Sequence, residues 1–408
     1  MKKQVRYSRW QEETVRHALQ TSRIVNITGA RQVGKTTLTN LIGLENAVFR
    51  TLDDAELLQF ARNDPKTFLQ CKPGQTLVID EIQKAPMLLS AIKMAVDRSD
   101  DSGQFLITGS ADLKTLPTAT ESLAGRMRSV RLRTFTVGEL LGRNCDFIER
   151  LFGDGFEAGT AEADKCSALA VAFRGGYPEA VRLDDEDRTA WFDDYIAALL
   201  MHDIADVSDI RRTDTLRKVF DFLLARSSKL WNVQEITAAI GISRPAVESQ
   251  IAALKRMYLF DEVPAWTSSD YRRSVLKPKC FANDTGLMAH ALGWNEEGLL
   301  FDGDKSGKLI ETLVYHELAA AVDRVRGMRI LHYRDRDARE IDFILENRKG
   351  ELAAVEVKSA ATAHREDFKT IKWFDKNVHP LKGKVVIYCG GATMSFGEGC
   401  WTYPLALL

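Results

Sequence analysis

No stretch of the 408 residues is long, apolar and uncharged enough to cross a bilayer, and Met1-Lys2-Lys3-Gln4-Val5-Arg6 runs into polar residues where a secretory signal would carry an apolar core. A cytoplasmic protein with no membrane partner is the expectation. The six cysteines (Cys71, Cys145, Cys166, Cys280, Cys389, Cys400) are scattered without C-x-x-C spacing, which argues against a zinc site or disulfide frame and for reduced thiols. An excess of charge of one sign is missing too. The 56 basic and 57 acidic residues give a net charge of −1, so only local charge can speak for or against nucleic acid. Internal repeats are absent. What remains is 45% apolar and 28% charged, too long for one ordinary domain and able to bury sizeable cores.

The stretch that organises the chain is Gly29-Ala30-Arg31-Gln32-Val33-Gly34-Lys35-Thr36, which satisfies G-x-x-x-x-G-K-[ST] and continues into Thr37. Arg23 to Thr28 before it is apolar and β-branched enough for a buried strand, and Thr37 to Ile42 after it carries an apolar stripe at helical spacing. Strand, glycine loop and helix in that order let successive backbone N–H groups converge on phosphate oxygens at a positive helix end. Lys35 then supplies a charge for the β/γ-phosphates, and the Thr36 hydroxyl suits a Mg²⁺ ligand.

Thr76-Leu77-Val78-Ile79-Asp80-Glu81 is an apolar strand that delivers two carboxylates at its C-terminal end, the edge where open α/β sheets bind ligands. Asp80 is assigned to magnesium and Glu81 to activation of the attacking water. Gln104 to Thr108 is a further strand, after which Thr108 and Ser110 are sensor candidates for the γ-phosphate, with a capping turn as the alternative. Arg126 or Arg128, before the strand Ser129 to Leu132, is the candidate transition-state finger, in cis or from a neighbouring subunit, with a solvent-exposed or sheet-edge arginine as the favoured alternative.

Gly29 to Thr36, Leu77 to Gln83 and Leu106 to Ser110 resemble the AAA+ ATPase superfamily. More closely, Thr28 to Thr37, Asp80-Glu81-Ile82-Gln83, Thr108-Gly109-Ser110 and Ser122-Leu123-Ala124-Gly125-Arg126 resemble a prokaryotic family of AAA+ ATPases with a C-terminal domain of unknown function. The resemblance implies an α/β fold with a P-loop parallel sheet in strand order 5-1-4-3-2, with ATP and Mg²⁺ as ligands.

From Leu140 to Ser208 helical stripes and acidic clusters replace the β signal. Phe173-Arg174-Gly175-Gly176-Tyr177-Pro178 reads as a structural turn. His202, Asp203 and Asp206 read as a helix end in preference to a metal site. Thr215 to Ser274 has the pattern of a winged helix: an amphipathic helix, a second opened by Asn232 and Glu235 and stopped by Gly241, a third after Ser243, then wing strands Tyr258 to Pro264 and Tyr271 to Pro278. Between Arg211 and Cys280 there are 13 Lys/Arg against 7 Asp/Glu, and Arg244, Gln250, Arg256, Arg272 and Arg273 are candidate DNA contacts. Packing or protein contact is the equal alternative.

In the last stretch Glu356 and Lys358 sit two apart on a strand, facing one side, with Asp342 on the neighbouring hairpin strand and Glu311 on a preceding helix. This set resembles the PD-(D/E)xK nuclease superfamily, with Ile341 where the pattern has proline. It implies an oxygen cage for a second Mg²⁺ or Mn²⁺, with Lys358 polarising a water. The expected layout is an ATPase domain over 1–139, a helical lid over 140–210, a winged helix over 211–280 and a restriction-endonuclease-like α/β domain over 281–408. The expected function is an ATP-hydrolysing switch associated with DNA, with a homo-oligomer as a further expectation. The alternatives are an ATP-regulated metal-dependent nuclease, or an ATP-dependent interaction scaffold with an inactive nuclease-like domain.

Overall fold

The apolar runs around the glycine loop become five short strands: β1 (Ile24–Thr28), β2 (Ala47–Thr51), β3 (Thr76–Asp80), β4 (Phe105–Gly109) and β5 (Met127–Arg131). They stand in the order β2-β3-β4-β1-β5, every neighbouring pair parallel. This is the P-loop NTPase sheet, in the order that the resemblance implies. The structure, a computed structural model, describes residues 7–110, 123–153, 155–200, 213–269 and 276–408. The chain divides into two compact units, one of residues 1–134 with 256–258 and the other of residues 135–255 with 259–408.

In the first unit the central strands β1 and β4 are buried along their whole length, whereas the edge strands β2 and β5 are largely half-buried. That is why β1 and β4 read as continuous apolar runs. Ile79, Phe105 and Ile107 pack on Leu88, Leu89 and Ile92 of the helix Leu88–Val96, and each such side chain fully buried contributes roughly 1.5–3 kcal/mol. Asp64 ends one helix and caps the next through Thr67 N at 3.1 Å, with Pro65 at the first helical position.

The second unit opens with short helices, of which Lys165–Arg174 and Asp185–Ala198 flank the Gly-Gly-Tyr-Pro turn. Tyr177 is buried and its ring packs among Trp191, Phe192 and Tyr195. Gly176 accepts a hydrogen bond from Phe135 N at 2.7 Å and donates its own N–H to Asp284 Oδ2 at 2.9 Å. A Cβ on Gly176 would lie 2.1 Å from the Phe135 carbonyl oxygen, so three distant segments meet where only glycine fits. His202, Asp203 and Asp206 lie outside the described residues.

Three helices follow, Thr213–Ala225, Val233–Ile240 and Arg244–Arg256. Asn232 caps the middle one, accepting from Glu235 N at 2.9 Å, and Gly241 closes it with φ 75°. After the two-residue β6 (Gly159–Thr160) earlier in the unit, β7 (Phe260–Val263) and β8 (Lys279–Ala282) form an antiparallel pair. The run Lys279-Cys280-Phe281-Ala282 is buried at every position; of the expected wing strand Tyr271 to Pro278, residues 271–275 lie outside the described residues. Gln250 is corrected. It is buried, and its Nε2 donates to Thr215 Oγ1 at 2.8 Å, so it faces the helical core and not a groove.

A mixed sheet completes the unit: β9 (Arg329–Arg334), β10 (Glu340–Glu346), β11 (Leu352–Lys358), β12 (Leu381–Tyr388) and β14 (Cys400–Pro404), in the order β14-β12-β11-β10-β9, with β13 (Ala392–Thr393) pairing β6. β9 to β11 run antiparallel, and β11, β12 and β14 parallel. The 20-residue helix Gly303–Val322 precedes this sheet and Lys369–Asn377 bridges β11 to β12.

Gly176→Ala is expected to lower stability by roughly 3 kcal/mol, since backbone cannot yield to the added methyl. Gly303→Ala, with open space around it, should be close to neutral. Urea unfolding followed by tryptophan fluorescence checks both.

Candidate functional site

At the carboxyl edge of β1 the chain turns through Gly29 to Gly34 before the helix Lys35–Leu41. Gly34 is left-handed at φ 95°, and a Cβ on Gly29 would fall 2.1 Å from the Leu132 carbonyl oxygen, so both glycines are demanded by geometry. Gln32 also has positive φ, 62°. Lys35 is buried and its Nζ donates to the carbonyls of Gly29 at 3.1 Å and Ala30 at 2.9 Å. Burial lowers the Lys35 pKa to about 8; the nearby charges of Glu81 and Asp80 oppose the shift and Arg31 adds to it.

The acids stand beside the loop. Thr36 Oγ1 lies 3.0 Å from Asp80 Oδ2 and 3.2 Å from Oδ1. Thr108 is fully buried at the end of β4; its hydroxyl donates to Asp80 Oδ1 and accepts from Glu81 N at 3.3 Å. Glu81 has left-handed backbone, φ 57°, and its Oε2 accepts from Gln83 Nε2 and from Ser110 Oγ at 3.4 Å. Gln83 in turn donates to Ser110 at 2.9 Å. Lys35, Thr36, Asp80, Glu81, Thr108 and Ser110 are thus gathered at one sheet edge. A hydroxyl and a carboxylate in contact beside a glycine loop are donors that fit a magnesium-bound phosphate.

Two residues to which the sequence reading gives no role support this edge. Gln83 holds the Glu81 carboxylate. Arg9 is buried, donating to Val33 O at 2.9 Å and Arg133 O at 2.6 Å, which ties the loop to the chain after β5. Arg126 is a correction. It precedes β5 at the opposite, amino edge, where its carbonyl accepts from Ile24 N and its Nε pairs with Asp97 Oδ1 at 2.5 Å. One strand length separates it from the loop, which removes the finger role in cis. The arginine in register with Thr28 at the loop's edge is Arg131.

In the second unit, Glu311, Asp342, Glu356 and Lys358 do come together. Asp342 Oδ2 accepts from Val357 N at 3.0 Å, and Glu356 Oε1 pairs with Lys358 Nζ at 3.0 Å. A residue absent from the sequence reading sits among them. Lys279 Nζ lies 2.7 Å from Glu340 Oε1, 2.9 Å from Glu311 Oε1 and 3.1 Å from Asp342 Oδ1, its side chain 2% exposed. Burial alone would lower the Lys279 pKa, but Asp342, Glu311 and Glu340 outweigh it and raise it, so the ammonium stays charged. Burial, then the Asp342 charge, raises both Glu311 and Glu356. Among the described residues no group of three or more His, Cys, Asp or Glu is arranged to hold a metal ion. The cluster does not fit a divalent cation, since an ammonium stands in its place.

Residues 21–141 match the family described as AAA domain. They form an AAA-type P-loop domain. Residues 168–298 and 306–408 match two families each described as a domain of unknown function (DUF8612 and DUF4143). The chain is similar to an uncharacterized protein of Mycobacterium bovis and one of Mycobacterium tuberculosis, each 28% identical over 350 residues covering 85% of this chain and 73% of the relative. Among solved structures it is similar to the RuvB Holliday junction branch migration motor of Thermotoga maritima, at 17% identity and TM-score 0.28 over 66% of this chain and 95% of that one. It is also similar to AMPPCP-bound DnaA of Aquifex aeolicus, at 13% identity and TM-score 0.27 over 60% and 86%. No helix among the described residues is long and apolar enough to cross a membrane.

In the AAA-type domain, an anion on the loop raises the Lys35 pKa, so the bound state holds more protons than the free state and binding strengthens as pH falls through about 8. Uptake of about half a proton per triphosphate is expected at pH 8. Titration calorimetry in buffers of different ionisation enthalpy measures it, and Lys35→Met should abolish the uptake.

Proposed function

We propose that the chain is an ATP-hydrolysing AAA+ switch. The observation that carries this is the meeting of Lys35, Thr36, Asp80, Glu81 and Thr108 at the carboxyl edge of a parallel sheet. Thr36 and Asp80 would hold magnesium, which would neutralise the phosphate charge when bound. Lys35 leaves the Gly29 and Ala30 carbonyls to meet the β/γ-phosphates, and the backbone of Gly29 to Thr37 cradles them. Glu81 orients the attacking water once Gln83 and Ser110 release its carboxylate. Thr108 holds Asp80 in place, and Ser110 reports the state of the γ-phosphate. Any part Arg126 plays as a finger falls to a second copy of the chain, which makes a homo-oligomer the working form.

Hydrolysis then rearranges the second unit. The basic excess of 13 Lys/Arg over 7 Asp/Glu between Arg211 and Cys280 supports DNA as the partner. Arg244, exposed on the third helix and paired, among the described residues, with Glu248 along its own helix, is the surface contact to expect; Arg272 and Arg273 lie outside the described residues. The C-terminal sequence of helix, three strands, helix and strand supports a nuclease-like fold. The ammonium among its carboxylates favours an inactive one.

Lys35→Ala should abolish nucleotide binding, whereas Glu81→Gln should bind ATP without turning it over. Normal phosphate release by Glu81→Gln would remove the assignment of the water-activating acid. Binding to duplex DNA measured at two salt concentrations should weaken as salt rises; no signal at either would favour a protein-interaction scaffold.

A further inference from the structure

Carboxylates that face one point repel each other, and Glu311 and Asp342, 12% and 14% exposed, have lost most of their water while Glu340 keeps 31%, so a cation between them is strongly favoured. Here the chain supplies its own. Lys279 opens β8, and its ammonium reaches Glu311 on the long helix and Glu340 and Asp342 on β10. An ammonium has three N–H donors, and three separate carboxylates accept them. Two of the other oxygens are also engaged: Glu340 Oε2 by Arg334 at 3.0 Å, Asp342 Oδ2 by Val357 N at 3.0 Å. Among the described residues, Glu356 Oε2 is buried without a hydrogen-bond partner beside this group.

A divalent ion of the magnesium class needs oxygens at roughly 2.0–2.1 Å in a near-octahedral shell. It cannot share that point with an ammonium 2.7 to 3.1 Å from the same oxygens. We propose that Lys279 is an internal plug that takes the place of a divalent cation, so that the cluster of Glu311, Glu340 and Asp342 joins β8 to the C-terminal sheet and admits metal only when β8 withdraws. This rests on the reading of the C-terminal module as an inactive nuclease-like domain and gives that inactivity a cause. It also makes β8, the strand after the helices that hydrolysis is proposed to move, the element that decides metal access.

The test is Mn²⁺ binding to the full chain without nucleotide, followed by electron paramagnetic resonance, on wild type, Asp342→Asn, Lys279→Met and the Lys279→Met/Asp342→Asn double variant. Wild type and Asp342→Asn should take up the same Mn²⁺. Lys279→Met should gain about one further Mn²⁺ per chain, and the double variant should lose it. A wild-type site that Asp342→Asn removes overturns the plug, whether or not Lys279→Met folds. So does a folded Lys279→Met, judged by circular dichroism, that gains nothing. Incubation of the variants with DNA separates the two ideas: Mn²⁺ uptake by Lys279→Met without cleavage upholds the plug while counting against the nuclease likeness.

Discussion

A lysine ammonium buried under a glycine loop and resting on two carbonyl oxygens is an incomplete arrangement, and the first unit is built around it. Removing Lys35 from water disfavours its charge, and only the partial charges of Gly29 and Ala30 and the more distant fields of Asp80 and Glu81 compensate. A phosphate would complete it. The sheet keeps this from collapsing: β1 and β4 are buried throughout and fix the loop and Thr108 in register, while Arg9 clamps Val33 from outside. Strain is accepted for the same end, in the left-handed backbone of Gln32 and Glu81.

The second unit meets the opposite electrostatic problem with the opposite solution. There the surplus is negative, from Glu311, Glu340, Asp342 and Glu356, and the chain answers with two lysines of its own. Lys279 satisfies three acids at once, whereas Lys358 pairs with Glu356 and stands 3.9 Å from Asp367. One unit therefore carries a cation waiting for an anion, and the other anions already provided with a cation. The first arrangement is suited to binding and release; the second is suited to holding strands together.

Local chemistry was legible where the relevant residues are neighbours along the chain. The glycine loop, the acids after β3, the capping pair Asn232 and Glu235, and the alternation that puts Glu356 and Lys358 on one face of β11 each involve contacts within a few residues. Sheet order followed from the family resemblance and not from spacing. The misses share one cause. Gln250 has the composition of a surface residue, but its amide finds Thr215 across a helical interface. Lys279–Ala282, which the sequence reading gave no strand, is set by its pairing with β7. Arg126 sits close in sequence to β5, yet the strand's direction carries it to the far edge.

By itself the sequence determined that a phosphate-binding turn joins a buried strand to a helix, and that a strand ends in two acids, because both depend on backbone geometry set over a handful of residues. Tertiary structure alone decided which side chains stand against these groups. Arg9 reaches Val33 and Arg133 over separations of 24 and 124 residues. Lys279 reaches Glu311 and Asp342 over 32 and 63. A buried charge is assigned its partner by whatever the fold brings within about 3 Å, and no pattern along the chain encodes that distance.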